Sequence, residues 1–281
     1  MKTSRILKKF QQYGYFYFMW LVLFFVIPVF VILAYSFYTR DFQGGIVHRF
    51  SLQGYKDILN VNYLTVFFRT VWISLISSAV SIILAVPVAY YIAYSKLKNF
   101  LLLLVIIPFW TNSLIRIYAW IFILGNNGLI NQTLLKIGFI STPIKFMYNN
   151  FAVILVLVYT YLPFAILPLY SSIERLDKQI FEAAMDLGCT KRQVFFKVLL
   201  PNIKQGTVSA FVFVFIPSLG TYAVPELVGG KDSRMIGNEI ARQLTTAKNW
   251  PAAAAISSIL LVITIIAVLF FMYGGEKRET R

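Results

Sequence analysis

One cysteine and one histidine are all that 281 residues offer for thiol, disulfide or imidazole chemistry. Cys189 alone cannot form an intrachain disulfide, and no Cys/His cluster has the spacing of metal ligands. His48 lies between apolar runs. Acidic residues are scarce too, 11 against 26 lysines and arginines, and charged residues make up only 13% of the chain. A soluble domain is roughly 25% charged and about 45–50% apolar. Here 59% of residues are hydrophobic, so too few polar side chains exist to cover a water-facing surface, and lipid must be the main solvent. No G-x-x-x-x-G-K-[ST] sequence occurs, so any ATP used must be hydrolysed by another chain. The apolar runs hold no histidine and no paired carboxylates, which removes the acid/base groups of an intramembrane enzyme. Neither a selectivity filter nor a regular arginine repeat points to a stand-alone channel. A net charge of +15 does not indicate nucleic acid, because the basic residues fall in short segments between apolar runs instead of forming a basic face on a recognisable module.

Long apolar runs are what the chain does have. A helix needs about 20 mainly apolar residues to cross a hydrocarbon core of roughly 30 Å. Six segments qualify: Tyr15–Tyr38, Val71–Tyr94, Phe100–Leu124, Phe151–Ser172, Thr207–Val228 and Ala252–Tyr273. Backbone groups in lipid must bond within the segment, and the runs lack the alternation of barrel strands, so the expected fold class is all-α. The first run follows Lys2, Arg5, Lys8 and Lys9, is longer than a signal-peptide core and has no A-x-A site after it, so it reads as a retained span. With the N-terminus inside, fifteen lysines and arginines fall in cytoplasmic connections and nine outside, so both termini are expected in the cytoplasm. The expected organisation is an N-terminal part, 1–64, a core, 65–273, and a cytoplasmic tail, 274–281. Two external segments, Ser51–Leu59 and Met235–Leu244, carry apolar residues at helical spacing and read as short amphipathic helices, serving either as surface anchors or as docking points.

The longest cytoplasmic connection, 174–205, carries the most information. Asp177 is a suitable N-cap for a helix over Lys178–Leu187, with Gly188 at the position after its end. Thr190 and Gln193 form a capping-box pattern for a second helix closed by Pro201. On the first helix Ile180, Ala183, Ala184 and Leu187 share a face, flanked by Phe181 and Met185, a small-residue surface suited to a groove on another protein. Asp186 lies one turn from Glu182, and this acidic pair suits a basic protein partner better than anionic lipid.

Glu182-Ala183-Ala184, Gly188 and Val198-Leu199-Leu200-Pro201 together resemble the EAA signature of ABC-importer permeases, with valine in place of the usual isoleucine. The segments Pro108 to Tyr118 and Pro168 to Glu174, with Trp250-Pro251, are similar to the first permease of spermidine/putrescine transporters, and the likeness covers most of the chain from about Ser51. The resemblance implies a type I importer fold (MetI-like) in a bacterial inner membrane. It also implies a second homologous permease, two copies of a cytoplasmic ATPase that bind ATP and Mg, and a polyamine-binding protein outside. On that pattern Lys178–Leu187 is a coupling helix that moves with the ATPase in an alternating-access cycle, Glu182 pairs with a basic ATPase residue, and Gly188 permits the turn. Permeases of the same fold for iron, thiamine, sulfate or phosphonate are the competing cargo reading.

Polar residues inside spans face protein or water. Pro108 is expected to kink the third span, with Asn112 and Arg116 following on the same face, although Arg116 is near enough to the outer end to snorkel. Pro217-Ser218-Leu219-Gly220 should bend or break the fifth span; if helical spacing persists, Ser218, Tyr222 and Glu226 form a polar stripe. A polycation would find charge at Glu226 and ring faces at Tyr222 or Trp110, whereas the competing reading pairs Glu226 with Arg116. Tyr161 lies one heptad from Pro168 in the fourth span and could share a pore-facing side with it.

Overall fold

The computed structural model describes residues 15–41, 45–58 and 60–276. Lys2, Arg5, Lys8 and Lys9, Leu59 and residues 277–281 of the expected tail lie outside the described residues. The first span is α1, Tyr15–Tyr35, with a π-helical stretch at Val22–Val26. A two-stranded antiparallel hairpin follows, β1 Thr39–Arg40 and β2 Ile46–Val47, and then α2, Gln53–Ile58. The chain continues through α3, Val61–Tyr94; α4, Lys98–Trp110; α5, Ser113–Leu124; and α6, Leu129–Lys136. Next come α7, Asn150–Glu174; α8, Lys178–Asp186; α9, Lys191–Asn202; and α10, Lys204–Leu219. The last elements are α11, Ala223–Val228; α12, Ile236–Thr245; and α13, Trp250–Glu276.

Five stretches are long and apolar enough to cross a bilayer: α1, α3, Ser113–Lys136 (α5 with α6), α7 and Trp250–Leu269 of α13. The α9–α10 pair, bent by 69°, makes a sixth if counted as one span. The expected third span, Phe100–Leu124, is two helices. Thr111 turns extended (ψ 151°) and its hydroxyl bonds the Pro108 carbonyl at 2.6 Å, while Asn112 accepts from the Leu114 amide at 2.8 Å as the cap of α5. Pro108 remains inside α4. The break therefore comes where two short polar side chains compete for backbone groups, and Asn112 and Arg116 do not continue a helical face from Pro108. At 34 residues, α3 begins ten residues before the expected start. It is about 51 Å long at 1.5 Å per residue, well beyond the hydrocarbon core.

The chain forms two contact units. One comprises the described residues up to Leu64 with Glu239–Ile263. Within it α2 rests on the start of α13: a Cβ at Gly54 would meet the Ala255 Cβ and the Pro251 carbonyl at 3.3 Å, so only glycine fits comfortably. Tyr55 and Ser36 share a 2.7 Å hydroxyl bond. The short helix expected over Ser51–Leu59 is thus packed against protein, not simply laid on a membrane surface. No residue in the apolar window of α1 is buried, and a helix apolar all round suits lipid or a partner chain.

The second unit holds Thr65–Asn238 and the described residues from Thr264 onwards. One of its cores joins Ala85, Ala89 and Ile92 of α3, Ala165, Leu169 and Ile173 of α7, Leu199 and Ile203 near the 69° bend, and Ala210 and Val214 of α10. The four alanines among them, Ala85, Ala89, Ala165 and Ala210, allow close helix approach, which drives association in lipid. A Cβ on Gly206 would fall 2.2 Å from the Ser172 Oγ, which marks how closely α10 meets α7. The other core joins Ile73, Ile117, Leu124, Val153, Val156, Leu157, Val224, Val228 and Met235. Beyond α5 the connection is ordered by buried Asn131, whose amide donates to the Gly125 and Ile144 carbonyls and accepts from the Ile144 amide, at 2.9–3.1 Å.

Candidate functional site

The connection 174–205 folds by its local signals. The Asp177 carboxylate caps α8 through the Gln179 amide at 3.0 Å, and Gly188 takes the left-handed conformation (φ 86°) that ends it. Thr190 and Gln193 make the capping box that starts α9. Of the face expected for docking, Ile180, Ala183 and the flanking Met185 are exposed, as are Glu182, Asp186 and Gly188, and Leu187 is 87% exposed, an apolar side chain with little intramolecular cover. Ala184 packs against the core and Phe181 is buried. Phe181 meets the Tyr94 ring edge-on at 6.1 Å, and the Lys178 ammonium sits 5.2 Å from the centre of the same ring. Phe181 therefore anchors α8 to the end of α3 and does not share the outward face with Glu182. Next to this anchor, Lys98 and Glu174 pair at 2.7 Å across the feet of α4 and α7.

The second cluster surrounds the break in the fifth span. Helix α10 ends at Leu219, Gly220 caps it, and α11 begins at Ala223. The polar stripe does not form, because helical spacing fails between its members. Ser218 is buried and donates to the Phe215 carbonyl at 2.7 Å, while Tyr222 and Glu226 are exposed. The Tyr161 hydroxyl donates to the Pro217 carbonyl at 3.3 Å and so braces the break from α7. Glu226 accepts from the Asn238 amide at 2.7 Å. Arg116 and Glu226 form no ion pair among the described residues, although α5 and α11 touch. Arg116 is partly exposed; its guanidinium lies 5.9 Å over the Phe109 ring, and its buried Nε has no partner among the described residues. Trp110 ends α4 with 77% of its surface open, and Asn112 is spent as a cap. Tyr161, Tyr222 and Glu226 are thus drawn to one break, while Trp110 and Asn112 belong to another.

A third polar group, in the other unit, had no sequence signal. On α12 the Glu239 carboxylate binds the Arg242 guanidinium and the Gln243 amide, and Gln243 also donates to the Tyr63 hydroxyl at 2.7 Å. Burial pushes the Glu239 carboxyl up, but hydrogen bonds from Arg242, Gln243 and Tyr63 outweigh it and hold it below the usual carboxylate range. Sequence reading also missed Asn238, which falls among the apolar positions of an amphipathic helix where a polar residue defaults to solvent. Helix α12 is not a surface helix throughout: Met235, Ile236 and Asn238 are buried, and the Ile236 amide donates to the Thr70 hydroxyl at 2.9 Å.

Residues 81–274 match the family described as binding-protein-dependent transport system inner membrane component. This chain belongs to that family. The spermidine/putrescine transport system permease protein PotB of Salmonella typhimurium (strain SL1344) is 40% identical over 254 residues, covering 90% of this chain and 88% of that protein. The protein of the same name from Escherichia coli (strain K12) is 39% identical over 254 residues, 90% of this chain and 92% of the relative. A chain of the crystal structure of a bacterial alginate ABC transporter in complex with an alginate pentasaccharide-bound periplasmic protein superimposes with a TM-score of 0.77 at 16% identity. That match covers 98% of this chain and 96% of the other, and the fold is that of an ABC importer permease. As a member of the binding-protein-dependent inner-membrane family, the chain is a multi-pass inner membrane protein and the permease subunit of an ABC importer, working with an ATPase and a binding protein.

Proposed function

We propose that this permease carries polyamines, putrescine or spermidine, into the cell. The observation that carries the reading is identity near 40% over nine-tenths of the chain to permeases named for those two cargoes. The exposed carboxylate of Glu226 beside the broken fifth span supports it, since an ammonium group needs an anion and a ring face on its way through. A second homologous permease completes the pore, and two ATPase copies hold ATP and Mg and perform the hydrolysis. This chain contributes no hydrolytic group. The exposed strip Glu182, Ala183, Met185, Asp186 and Leu187 seats in a cleft of one ATPase, with Phe181 holding the helix from behind. Closure of the ATPase pair moves α8, and the spans alternate between outward and inward access.

The reading is tested in proteoliposomes holding the complete complex, with labelled spermidine and putrescine competed by thiamine, sulfate, phosphonate and iron. Saturable polyamine uptake untouched by those competitors is expected; uptake of an anion in its place would favour the partnerless Arg116 Nε as the cargo contact and sink the polyamine reading. In the same preparation Glu226→Gln should lower uptake about tenfold, the scale of a lost charge-assisted contact, with the ATPase still co-purifying. Glu182→Lys should lower co-purification of the ATPase; a stoichiometric, fully coupled complex would remove Glu182 from the docking contact.

A further inference from the structure

The side chain that holds Glu226 is itself unusually constrained. Asn238 is 5% exposed, and each polar group of its amide is committed. Its Oδ1 accepts from the Met235 amide at 3.2 Å. Its Nδ2 donates to the Tyr222 carbonyl at 3.2 Å and to the Glu226 Oε2 at 2.7 Å. The turn that carries it is fixed as well. The Ile236 amide is bonded to Thr70, whose hydroxyl in turn donates to the Val66 carbonyl at 2.7 Å. Gly237 lies so close to the break that a Cβ would stand 2.4 Å from the Thr221 carbonyl oxygen. One amide therefore ties the unwound turn at Tyr222 and the carboxylate at Glu226 to the first turn of α12.

We propose that Asn238 is a positioning residue for cargo, an inference that rests on the reading of Glu226 as an ammonium-binding group. An exposed carboxylate at the outer side of this six-residue helix would otherwise sample several rotamers. The amide selects one of them. A lysine or arginine at 238 could orient the carboxylate equally well, but it would neutralise the charge that attracts a polycation. Asparagine donates a hydrogen bond and adds no charge, so Glu226 stays anionic. Its Oε1, which accepts from no protein donor among the described residues, is left for an ammonium group. The joint bond to Tyr222 makes this geometry conditional on the break: a fifth span that straightened or rotated at Gly220 would pull the Tyr222 carbonyl from the amide and release the carboxylate. Binding strength at Glu226 is thereby linked to the conformation of the span.

The test uses the complete complex in proteoliposomes and reads spermidine taken up per ATP hydrolysed. Asn238→Asp keeps the side-chain volume and the acceptor for Met235 but replaces the donor with a carboxylate facing Glu226. It is expected to lower the ratio about tenfold, and Asn238→Ala comparably. The Asp variant carries the test if the Ala variant fails to assemble with the ATPase. Added to Glu226→Gln, Asn238→Asp should cost less than about twofold more, because both changes break one interaction. Losses that multiply would place the action of Asn238 elsewhere and overturn the proposal. A normal ratio in both Asn238 variants, with Glu226→Gln impaired, would overturn the positioning role and leave Glu226 standing. A normal ratio in Glu226→Gln would remove the reading on which it rests.

Discussion

Burial inverts the apparent roles of neighbouring residues in the EAA helix. Phe181, adjacent to Glu182, is enclosed by Tyr94 and the core, whereas Leu187, the C-cap of the same helix, stands almost fully in the open. Phe181→Ala should therefore weaken the seat of α8 by about 3 kcal/mol, the usual cost of emptying a buried aromatic site. The check is faster amide hydrogen exchange over 178–187 with the spans unaffected. Leu187→Ala should leave that exchange unchanged. Gly188→Ala should cost about 1 kcal/mol, because φ of 86° strains any residue with a Cβ. Glu239 adds a pH dependence. Its folded carboxyl titrates below the unfolded one, so its contribution is complete above the unfolded value and fades as pH falls through the folded value. Thermal stability in detergent should drop between about pH 5 and pH 3. Glu239→Gln should show a shallower drop.

The same contrast between local and distant causes runs through the elements. The caps at Asp177 and Thr190 and the stop at Gly188 were legible because each is decided by residues within four positions of itself. The fifth-span break was legible for a similar reason: Pro217 and Gly220 weaken a helix wherever they stand. The third-span break was displaced, since Pro108 drew attention from Thr111-Asn112-Ser113, which carries the ordinary look of an N-cap. Asn112→Ala should lose the cap, at about 1 kcal/mol. Lower melting in detergent checks this, and an unchanged transition would show that packing alone holds the break. Helix α12 was legible as a helix but not in its placement. Its first turn is fixed by Thr70, 166 positions away, and no periodicity in 235–244 reports such a partner.

At the scale of the whole chain, composition alone decided for a lipid solvent, and run lengths gave the first, fourth and sixth spans to within a turn or so, whereas α3 begins ten residues early and the third and fifth expected spans are each broken into two helices. The grouping of Tyr161, Tyr222, Glu226 and Asn238 required three-dimensional packing. The excess of lysine and arginine on one side sets the orientation: single cysteines placed at Lys178 and Phe139 in a Cys189→Ser background should label from the cytoplasmic and external sides respectively, and the reverse would invert every assignment of loops to faces.

The 69° corner at Ile203 has a mechanical consequence. Ile203 belongs to both arms: its amide donates to the Leu199 carbonyl at 3.1 Å, its carbonyl accepts from the Thr207 amide at 2.9 Å, and its side chain is fully buried. With Leu199, Ile203 and Ala210 all locked in the packed core, the corner turns as one piece, and α9 and α10 form a bell-crank rather than two rods on a pivot. The long arm, 16 residues of α10, measures about 24 Å at 1.5 Å per residue. Tilting the short arm by about 10° therefore swings Leu219 through roughly 4 Å.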